Sequence, residues 1–307
     1  MTDIAGDLLT LRDLLRYAVS RFRAAGIVFE QGTNTALDEA AFLLLWGLNL
    51  PIDQLDPFLD ARLVRAEREA LIALIEKRIA TRKPAAYLTG EAWIKTHRFA
   101  VDERVIVPRS FIGEMLAGDV SMLEGGPVRR ILDLCTGSGC LAILAALAFP
   151  DAKVDAVDVS ADALAVAKIN VENYRLAGRI QLFEGDLFAP LKDRRYDLIV
   201  GNPPYVRDAV VAAYPPEHAC EPAIAHAGGP DGLDIVRRIM ADATRHLEAG
   251  GRLLVEVGLG QGKLAADFPD LPFLWLETED SAGDVFLLRA EDLRMAGAGK
   301  PPGRRRK

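Results

Sequence analysis

The short segment GNPPY, residues 201–205, combines residue types that could perform chemistry on a planar nitrogen. The side-chain oxygen of Asn202 and the carbonyl of Pro203 could each accept one N–H hydrogen bond from an amino or amide group. Proline fixes the backbone without adding a competing N–H, and the ring of Tyr205 could stack on the flat group. Because the lone pair of a conjugated nitrogen is delocalised, holding both N–H groups would aim it at an electrophile. The predicted catalytic residues are Asn202, Pro203, Pro204 and Tyr205.

A glycine-rich turn, LDLCTGSGCLAI, is the second candidate site. Gly137 and Gly139 would let the backbone approach a ligand closely, and Asp133 stands at the end of the preceding apolar run. Asp158 ends the next apolar run, 25 residues after Asp133, where a carboxylate can accept hydrogen bonds from a ribose diol. The spacing Gly137-x-Gly139-x-x-Ala142 also satisfies the dinucleotide fingerprint. The glycines alone therefore do not separate a nicotinamide-dependent enzyme from a methyltransferase.

Two acidic side chains favour the methyltransferase. Asp133, four residues before Gly137, could receive the ammonium of a methionine moiety, whereas it would repel a pyrophosphate. Asp186 ends the third apolar run and suits the adenine end of such a ligand. The two candidate sites would then face each other, and an in-line displacement at a sulfonium methyl would be catalysed mainly by positioning.

Composition indicates a cytoplasmic protein of two domains. The chain has 307 residues, half of them hydrophobic, which is more than a single domain usually contains. Its apolar runs are too short to span a bilayer and its amino terminus lacks a signal peptide, so we expect no membrane association. The three cysteines, Cys135, Cys140 and Cys220, have no metal-ligand spacing, and no metal site is predicted. A net charge of -7 argues against broad electrostatic binding of nucleic acid.

The first part of the chain, residues 1–83, has the periodicity of helices. Apolar residues recur every three or four positions from Leu8 to Phe22, and TALDEAAFLLLWGLNLP begins a second helix with Thr35 as its cap. A third helix is predicted from about Leu63 to Thr81. The pattern indicates a small bundle of helices, and the family resemblance described below implies that this bundle helps to recognise the substrate.

The rest of the chain has the pattern of an α/β protein. Residues 84–127 contain the extended pieces AYLTGEAWI and HRFAVDERVIVP, which predict a β-hairpin linker. Residues 128–290 alternate five strand-length apolar runs with helical patterns and end in FLWLE and VFLLRA, which should pair antiparallel across the turn TEDSAGD. This predicts a doubly wound, mostly parallel sheet of seven strands. Residues 291–307 are predicted to be a disordered basic tail.

The motifs together resemble a known family. GNPPY and the glycine loop are typical of class I S-adenosylmethionine-dependent methyltransferases of the NPPY kind, which modify planar nitrogens of adenine, guanine or glutamine. With DEAAFLLLWGLNLP, PAAYLTGEAWI, FAVDERVIVPRS and DGLDIVRRI, the chain resembles the glutamine N5-methyltransferases that act on ribosomal protein three of the large subunit. The similarity covers roughly residues 8–290.

The resemblance implies a Rossmann-like fold and transfer of a methyl group to a glutamine side-chain amide, with S-adenosyl-L-methionine as cofactor and S-adenosyl-L-homocysteine as product. It implies a large-subunit ribosomal protein as partner, free or in an assembling particle. It places the cofactor loop, the ribose-binding acid and the substrate clamp on the motifs described above. The predicted cofactor-binding residues are Asp133, Cys135, Thr136, Gly137, Ser138, Gly139, Asp158, Val159, Asp186, Leu187 and Asn202.

Departures from the family pattern leave alternatives open. Relatives that methylate peptide-release factors usually have glycine in place of Cys135 and PRPxTE in place of PRSFIGE, which favours the ribosomal-protein branch. Phe111 stands where proline is expected, and the terminal GRRRK is an extra that could contact RNA weakly. The alternatives are a release-factor glutamine methyltransferase, a DNA adenine N6-methyltransferase, which would need base flipping and a basic groove, and a non-catalytic ribosome assembly factor.

Overall fold

The computed structural model of the protein describes residues 3–123, 126–278 and 281–295. The chain folds into two compact units. One unit is mainly helical, and the other contains a seven-stranded sheet.

The helical unit comprises Met1–Ala92 and Tyr214–Glu221. Thr10 and Thr35 begin the two main amino-terminal helices, since each side chain accepts a hydrogen bond from the backbone N–H three residues later. The apolar faces of these helices form the core of the unit, with Phe22 fully buried. Its α-helices are α1 (Ile4–Asp7), α2 (Leu11–Ala24), α3 (Ala36–Gly47), α4 (Arg65–Thr81) and α5 (Ala85–Thr89).

The segment predicted to be a β-hairpin linker differs in part from the structure. Residues 85–89, expected to be extended, form α5, because Pro84 presets the backbone for a helix start and Gly90 ends the helix with a φ of 75°. The two-stranded sheet is confined to β1 (Glu91–Ile94) and β2 (His97–Ala100). The first unit thus extends to residue 92, beyond the limit of 83 that the sequence predicted.

The second unit is built on the predicted seven-stranded, mostly parallel sheet. The strands are β3 (Arg130–Leu134), β4 (Lys153–Asp158), β5 (Ile180–Glu184), β6 (Tyr196–Gly201), β7 (Leu247–Glu256), β8 (Leu274–Thr278) and β9 (Ser281–Arg289). Their order in the sheet is β5-β4-β3-β6-β7-β9-β8, in which β9 is antiparallel to both neighbours and β8 lies at the edge. The predicted final turn, residues 278–284, is shorter than expected, because residue 278 belongs to β8 and residues 281–284 belong to β9, while residues 279 and 280 lie outside the described ranges.

Helices cover both faces of this sheet. Along β6, Leu198 and Val200 join one apolar cluster and Ile199 joins the other, so alternate side chains are buried on opposite faces. Ser160 caps the helix that begins at Ala161, as predicted, since its hydroxyl accepts the N–H of Ala163. The helices are α6 (Phe111–Leu116), α7 (Cys140–Ala148), α8 (Ala161–Asn173), α9 (Asp208–Val211), α10 (Asp234–His246), α11 (Gln261–Asp267) and α12 (Ala290–Met295).

The carboxyl terminus differs from the predicted disordered tail at its start. α12 extends the folded chain to Met295, because Ala290 and Leu293 lie three residues apart and are both buried. The rest of that tail, residues 296–307, lies outside the described residues. In the described ranges, no helix is long and apolar enough to cross a membrane.

Candidate active site

The two motifs singled out in the sequence follow neighbouring strands. Leu134, the last residue of β3, lies opposite Gly201, the last residue of β6. The strand order reverses here, because β3 has β4 on one side and β6 on the other. Doubly wound sheets bind ligands at such a point, beyond the carboxyl ends of the strands. The glycine loop and the GNPPY segment therefore begin side by side.

Asp133 holds the glycine loop in place through hydrogen bonds to its buried carboxyl group. Its side chain is fully buried, and Oδ2 accepts hydrogen bonds from the Thr136 hydroxyl at 2.5 Å and the Ala142 N–H at 3.0 Å. Burial raises the pKa of the carboxyl to about 7. Oδ1 is also buried and has no hydrogen-bond partner among the described residues. The carboxyl group thus shapes the loop with one oxygen and leaves the other as an acceptor.

The two glycines of the loop serve different purposes. Gly137 has a φ of 55°, and a Cβ added there would meet nothing within 4 Å. Gly139 has a φ of 80°, but its Cβ would lie 3.1 Å from the Cβ of Ala167 on α8. On the same helix, Nδ2 of Asn170 donates to the carbonyl of the buried Ser138 at 2.9 Å. Gly139 permits close packing of the loop on α8, whereas Gly137 faces open space that a ligand can fill.

Cys135 adopts the left-handed backbone conformation that glycine usually occupies, with a φ of 58°. A side chain in this conformation costs about 1–2 kcal/mol. Burial and the neighbouring Asp158 carboxylate raise the pKa of the Cys135 thiol. The thiol therefore stays neutral and is a poor nucleophile. Among the described residues, no cluster of acidic, histidine and cysteine side chains could hold a metal ion.

Asp158 closes the cofactor loop from the neighbouring strand. Its Oδ2 accepts the N–H of Gly137 at 2.8 Å, and its Oδ1 accepts the N–H of Ser160 at 2.9 Å. Burial raises the pKa of this carboxyl. Each carboxylate oxygen can accept a further hydrogen bond, which a ribose hydroxyl could donate. The next residue, Val159, leaves 54% of its surface exposed, so an apolar surface adjoins the acid.

Asp186 and Leu187 follow β5 but are engaged with other parts of the chain. Asp186 forms an ion pair of 2.6 Å with Arg238 of α10, and both side chains are half exposed. Such an exposed pair contributes little stability and can be opened by a ligand. The side chain of Leu187 is buried in the apolar cluster, so only its backbone remains available to a ligand.

The Asn202 side chain is oriented by one hydrogen bond. Its Nδ2 donates to the carbonyl of Arg109 at 3.3 Å. Its Oδ1 accepts no hydrogen bond from the part of the chain that the structure describes, and the same holds for the carbonyl of Pro203. Because the amide group is oriented through its nitrogen, its oxygen remains an acceptor for N–H groups of a ligand.

Tyr205 is fixed by its hydroxyl and by its ring. The hydroxyl donates to Oε1 of Glu256 at 3.0 Å, and burial together with this carboxylate raises the pKa of the phenol. The ring lies against the backbone of Gly258, where an added Cβ would come within 2.7 Å of Cε2. The tyrosine is therefore held in one place and stays neutral.

Sequence reasoning missed Glu256, Ser110 and Arg109. Glu256 ends β7 and is 2% exposed, and its Oε2 accepts the Ser110 hydroxyl at 2.7 Å. Burial raises the pKa of this carboxyl to about 7. A signal for Glu256 was present, since it ends an apolar run, LLVEVG, as Asp133 and Asp158 end theirs. Arg109 contributes a backbone carbonyl, for which residue type carries no signal.

Comparison with known proteins agrees with this architecture. Residues 116–214 match the family model of the methyltransferase small domain. The sheet order, the glycine loop and this match define a methyltransferase with a Rossmann-like fold.

Curated relatives define the family more closely. The chain is 54% identical to the ribosomal protein uL3 glutamine methyltransferase of Burkholderia pseudomallei, with 95% of this chain and 98% of the relative covered. Identity to the enzyme of the same name from Bordetella pertussis is also 54%, over 94% and 97% of the two chains. The relative of that name from Bradyrhizobium diazoefficiens is 53% identical, with 94% of this chain and 93% of the relative covered. The chain belongs to the family of ribosomal protein uL3 glutamine methyltransferases, which confirms the resemblance found in the sequence and rejects the nicotinamide-dependent alternative.

Proposed function

We propose that this protein transfers a methyl group from S-adenosylmethionine to the side-chain amide nitrogen of a glutamine in ribosomal protein uL3. The observation that carries the proposal is the orientation of Asn202, whose nitrogen is bonded to the Arg109 carbonyl and whose oxygen is left as an acceptor. The names of the relatives support the protein substrate.

The residues at the carboxyl ends of β3 and β4 fit S-adenosylmethionine. The open space beside Gly137 admits a ligand against the backbone. The unpartnered Oδ1 of Asp133 is a buried acceptor that suits an ammonium group, although it must become accessible as the loop adjusts. Asp158 would accept the ribose hydroxyls, and the exposed Val159 would pack against the adenine. The bound cofactor supplies an electrophilic methyl group on a sulfonium.

The GNPPY segment would hold the nucleophile. Oδ1 of Asn202 and the carbonyl of Pro203 would each accept one N–H of the glutamine amide, which fixes the nitrogen in the plane of the clamp. The ring of Tyr205, held by its hydroxyl, would cover one face of the amide. Removing the freedom of the amide to rotate lets the nitrogen approach the methyl group in line. The nitrogen loses a proton to water after it has gained the methyl group.

The partner and location are proposed on the same basis. uL3 could be methylated as the free protein or in an assembling particle, and we place the reaction in the cytoplasm, where that partner is assembled. Weak RNA contact through the terminal GRRRK stays a prediction, because those residues lie outside the described ranges.

The decisive experiment compares two substrates. Purified protein is incubated with S-adenosylmethionine that carries a labelled methyl group, together with unmethylated uL3 or unmethylated peptide-release factor. We expect label on one glutamine of uL3 and far less on the release factor, with Asn202→Ala as the inactive control. Label on the release factor alone would assign the protein to that substrate instead.

A further inference from the structure

A single buried carboxyl group joins Tyr205, at one end of the Asn202–Tyr205 segment, to Ser110, and the other end of the segment is bonded to the neighbouring residue, Arg109. Glu256 accepts the hydroxyl of Tyr205 at 3.0 Å with one oxygen and that of Ser110 at 2.7 Å with the other. The residue before Ser110 is Arg109, whose carbonyl accepts Nδ2 of Asn202. The hydrogen bonds therefore form a closed ring through Asn202, Tyr205, Glu256 and residues 109–110.

Burial raises the pKa of the Glu256 carboxyl to about 7, and its hydrogen-bond donors limit that rise. The hydroxyls of Ser110 and Tyr205 donate to its two oxygens, and the nearby backbone N–H groups of Phe111 and Ile112 also act to lower its pKa. One hydroxyl donates to each oxygen of this carboxyl group, and both hydroxyls would lose their acceptor if the side chain were truncated. Burying a carboxylate is unfavourable unless its hydrogen bonds are satisfied. An apolar side chain in this position would fill the space but would leave Tyr205 and the 109–110 segment unconnected.

We propose that Glu256 is a positioning residue that fixes Tyr205 directly and Asn202 through the Ser110–Arg109 segment. This inference rests on the proposed clamping role of Asn202. Glu256 does not touch the substrate amide. It determines where the Arg109 carbonyl lies, and so which way the Asn202 amide faces, and it keeps the Tyr205 ring over the site.

The variant Glu256→Gln tests this with little change of shape. The glutamine amide has one oxygen, which can still accept a hydrogen bond, and one NH₂ group, which cannot. The hydroxyl that faces the NH₂ group, either that of Ser110 or that of Tyr205, therefore loses its acceptor. We expect kcat for uL3 methylation to fall by about 10-fold or more, because small displacements of a bound nucleophile have effects of this size. The dissociation constant for S-adenosylmethionine should stay within about 2-fold, since the cofactor loop is held by Asp133 and Asp158 instead. The exposed Glu277→Gln on β8 is the matched control and should retain parental kcat.

Coupling to Asn202 separates positioning from general structural support. If Glu256 acts through Asn202 and Tyr205, adding Glu256→Gln to Asn202→Ala should lower kcat by much less than it does in the parent. An NMR spectrum of the side-chain amides provides a readout without turnover: the Asn202 Nδ2 signal, assigned by its loss in Asn202→Ala, should shift in Glu256→Gln and stay in place in Glu277→Gln.

The outcomes distinguish this inference from the proposed function. A parent protein that does not methylate uL3 would overturn the function. An active parent with an equally active Glu256→Gln variant would overturn only the positioning role. That role would also be overturned if the two substitutions lowered kcat independently and the Asn202 signal did not move. The conservative variant Ser110→Thr, which keeps the hydroxyl, should retain more activity than Ser110→Ala.

Discussion

The loops after β3 and β6 start side by side but are held in different ways. The Cys135–Gly139 loop is tied down by two carboxylates, Asp133 and Asp158, which accept hydroxyl and backbone N–H groups from the loop. The Asn202–Tyr205 segment is held by the amide of Asn202 and the hydroxyl of Tyr205, which reach residue 109 and Glu256. One side of the site therefore presents carboxylate oxygens, and the other presents a neutral amide oxygen.

This difference matches the charges of the two proposed ligands. Carboxylates suit a cofactor with an ammonium group and a ribose diol. A neutral acceptor suits an amide, whose N–H groups donate hydrogen bonds without carrying a charge. We infer that the carboxyl group of Glu256 fixes Tyr205 and Ser110 rather than binding a ligand. Substitutions in the loop after β3 and at Asp158 should accordingly change cofactor affinity, whereas substitutions in the Asn202–Tyr205 segment should change kcat.

Asn202→Ala should have the largest effect, and on turnover alone. Removal of the side-chain oxygen leaves the glutamine amide free to rotate, which we expect to lower kcat by on the order of 100-fold or more. Cofactor affinity, measured by calorimetry, should remain near that of the parent. Asn202→Asp keeps an acceptor of the same size and should retain more activity than Asn202→Ala. Parental turnover by Asn202→Ala would show that the segment does not act as a clamp.

Asp158→Ala should act on the other side of the site. It removes the acceptor of the Gly137 N–H and the proposed partner of the ribose, so cofactor binding should weaken by roughly 1.5–3 kcal/mol. Once the cofactor is saturating, kcat should recover most of its parental value. Unchanged affinity would mean that the ribose is held elsewhere.

Asp133→Asn should alter the dependence of stability on pH. Burial raises the pKa of this carboxyl from 3.8 to about 7, so the folded protein holds the proton more tightly than the unfolded chain. This contribution to stability is complete below the unfolded pKa and is lost as the pH rises towards 7. The Asp133→Asn variant exchanges no proton at this position. Its free energy of unfolding should therefore fall less steeply with rising pH than that of the parent, by up to about 1.4 kcal/mol per pH unit. Glu256 also has a raised pKa, so the stability of the variant should still depend on pH to some extent.

Denaturant titrations of parent and Asp133→Asn between acid and neutral pH would measure this effect. If the free energy of unfolding depended on pH equally in parent and variant, Asp133 would be ionised in the folded protein over the whole pH range. The variant should also bind the cofactor more weakly, because it lacks the charge that would meet the ammonium group.

Gly258→Ala should have the smallest effect of the series. Its methyl group would come within 2.7 Å of Cε2 in the Tyr205 ring, and its φ of 49° disfavours any side chain. We expect a loss of about 1–2 kcal/mol in stability and a modest fall in kcat as the ring moves. Gly262→Ala in α11, where an added Cβ meets nothing within 4 Å, is the control and should be neutral or slightly stabilising. Equal behaviour of the two variants would show that the ring position is unimportant.

The sequence was informative wherever the chemistry is local. GNPPY and the glycine loop were found because prolines, glycines and acids at strand ends have short-range meaning, and apolar periodicity predicted the seven strands. The place of Glu256 at the end of an apolar run was a local signal, but its role could not be predicted because its partner Ser110 lies 146 residues away in the chain. The α5 helix was missed because its five residues are too few to show a period.

The central claim is that the Asn202 clamp directs a methyl group to an amide nitrogen, and the site of the label tests it most directly. uL3 methylated by the purified protein is digested, the labelled peptide is isolated, and it is hydrolysed in alkali. A methyl group on a side-chain amide nitrogen is released as labelled methylamine, which the clamp mechanism predicts for the parent and not for Asn202→Ala. Release of labelled methanol, which indicates a methyl ester, or label that remains on another side chain, would contradict it.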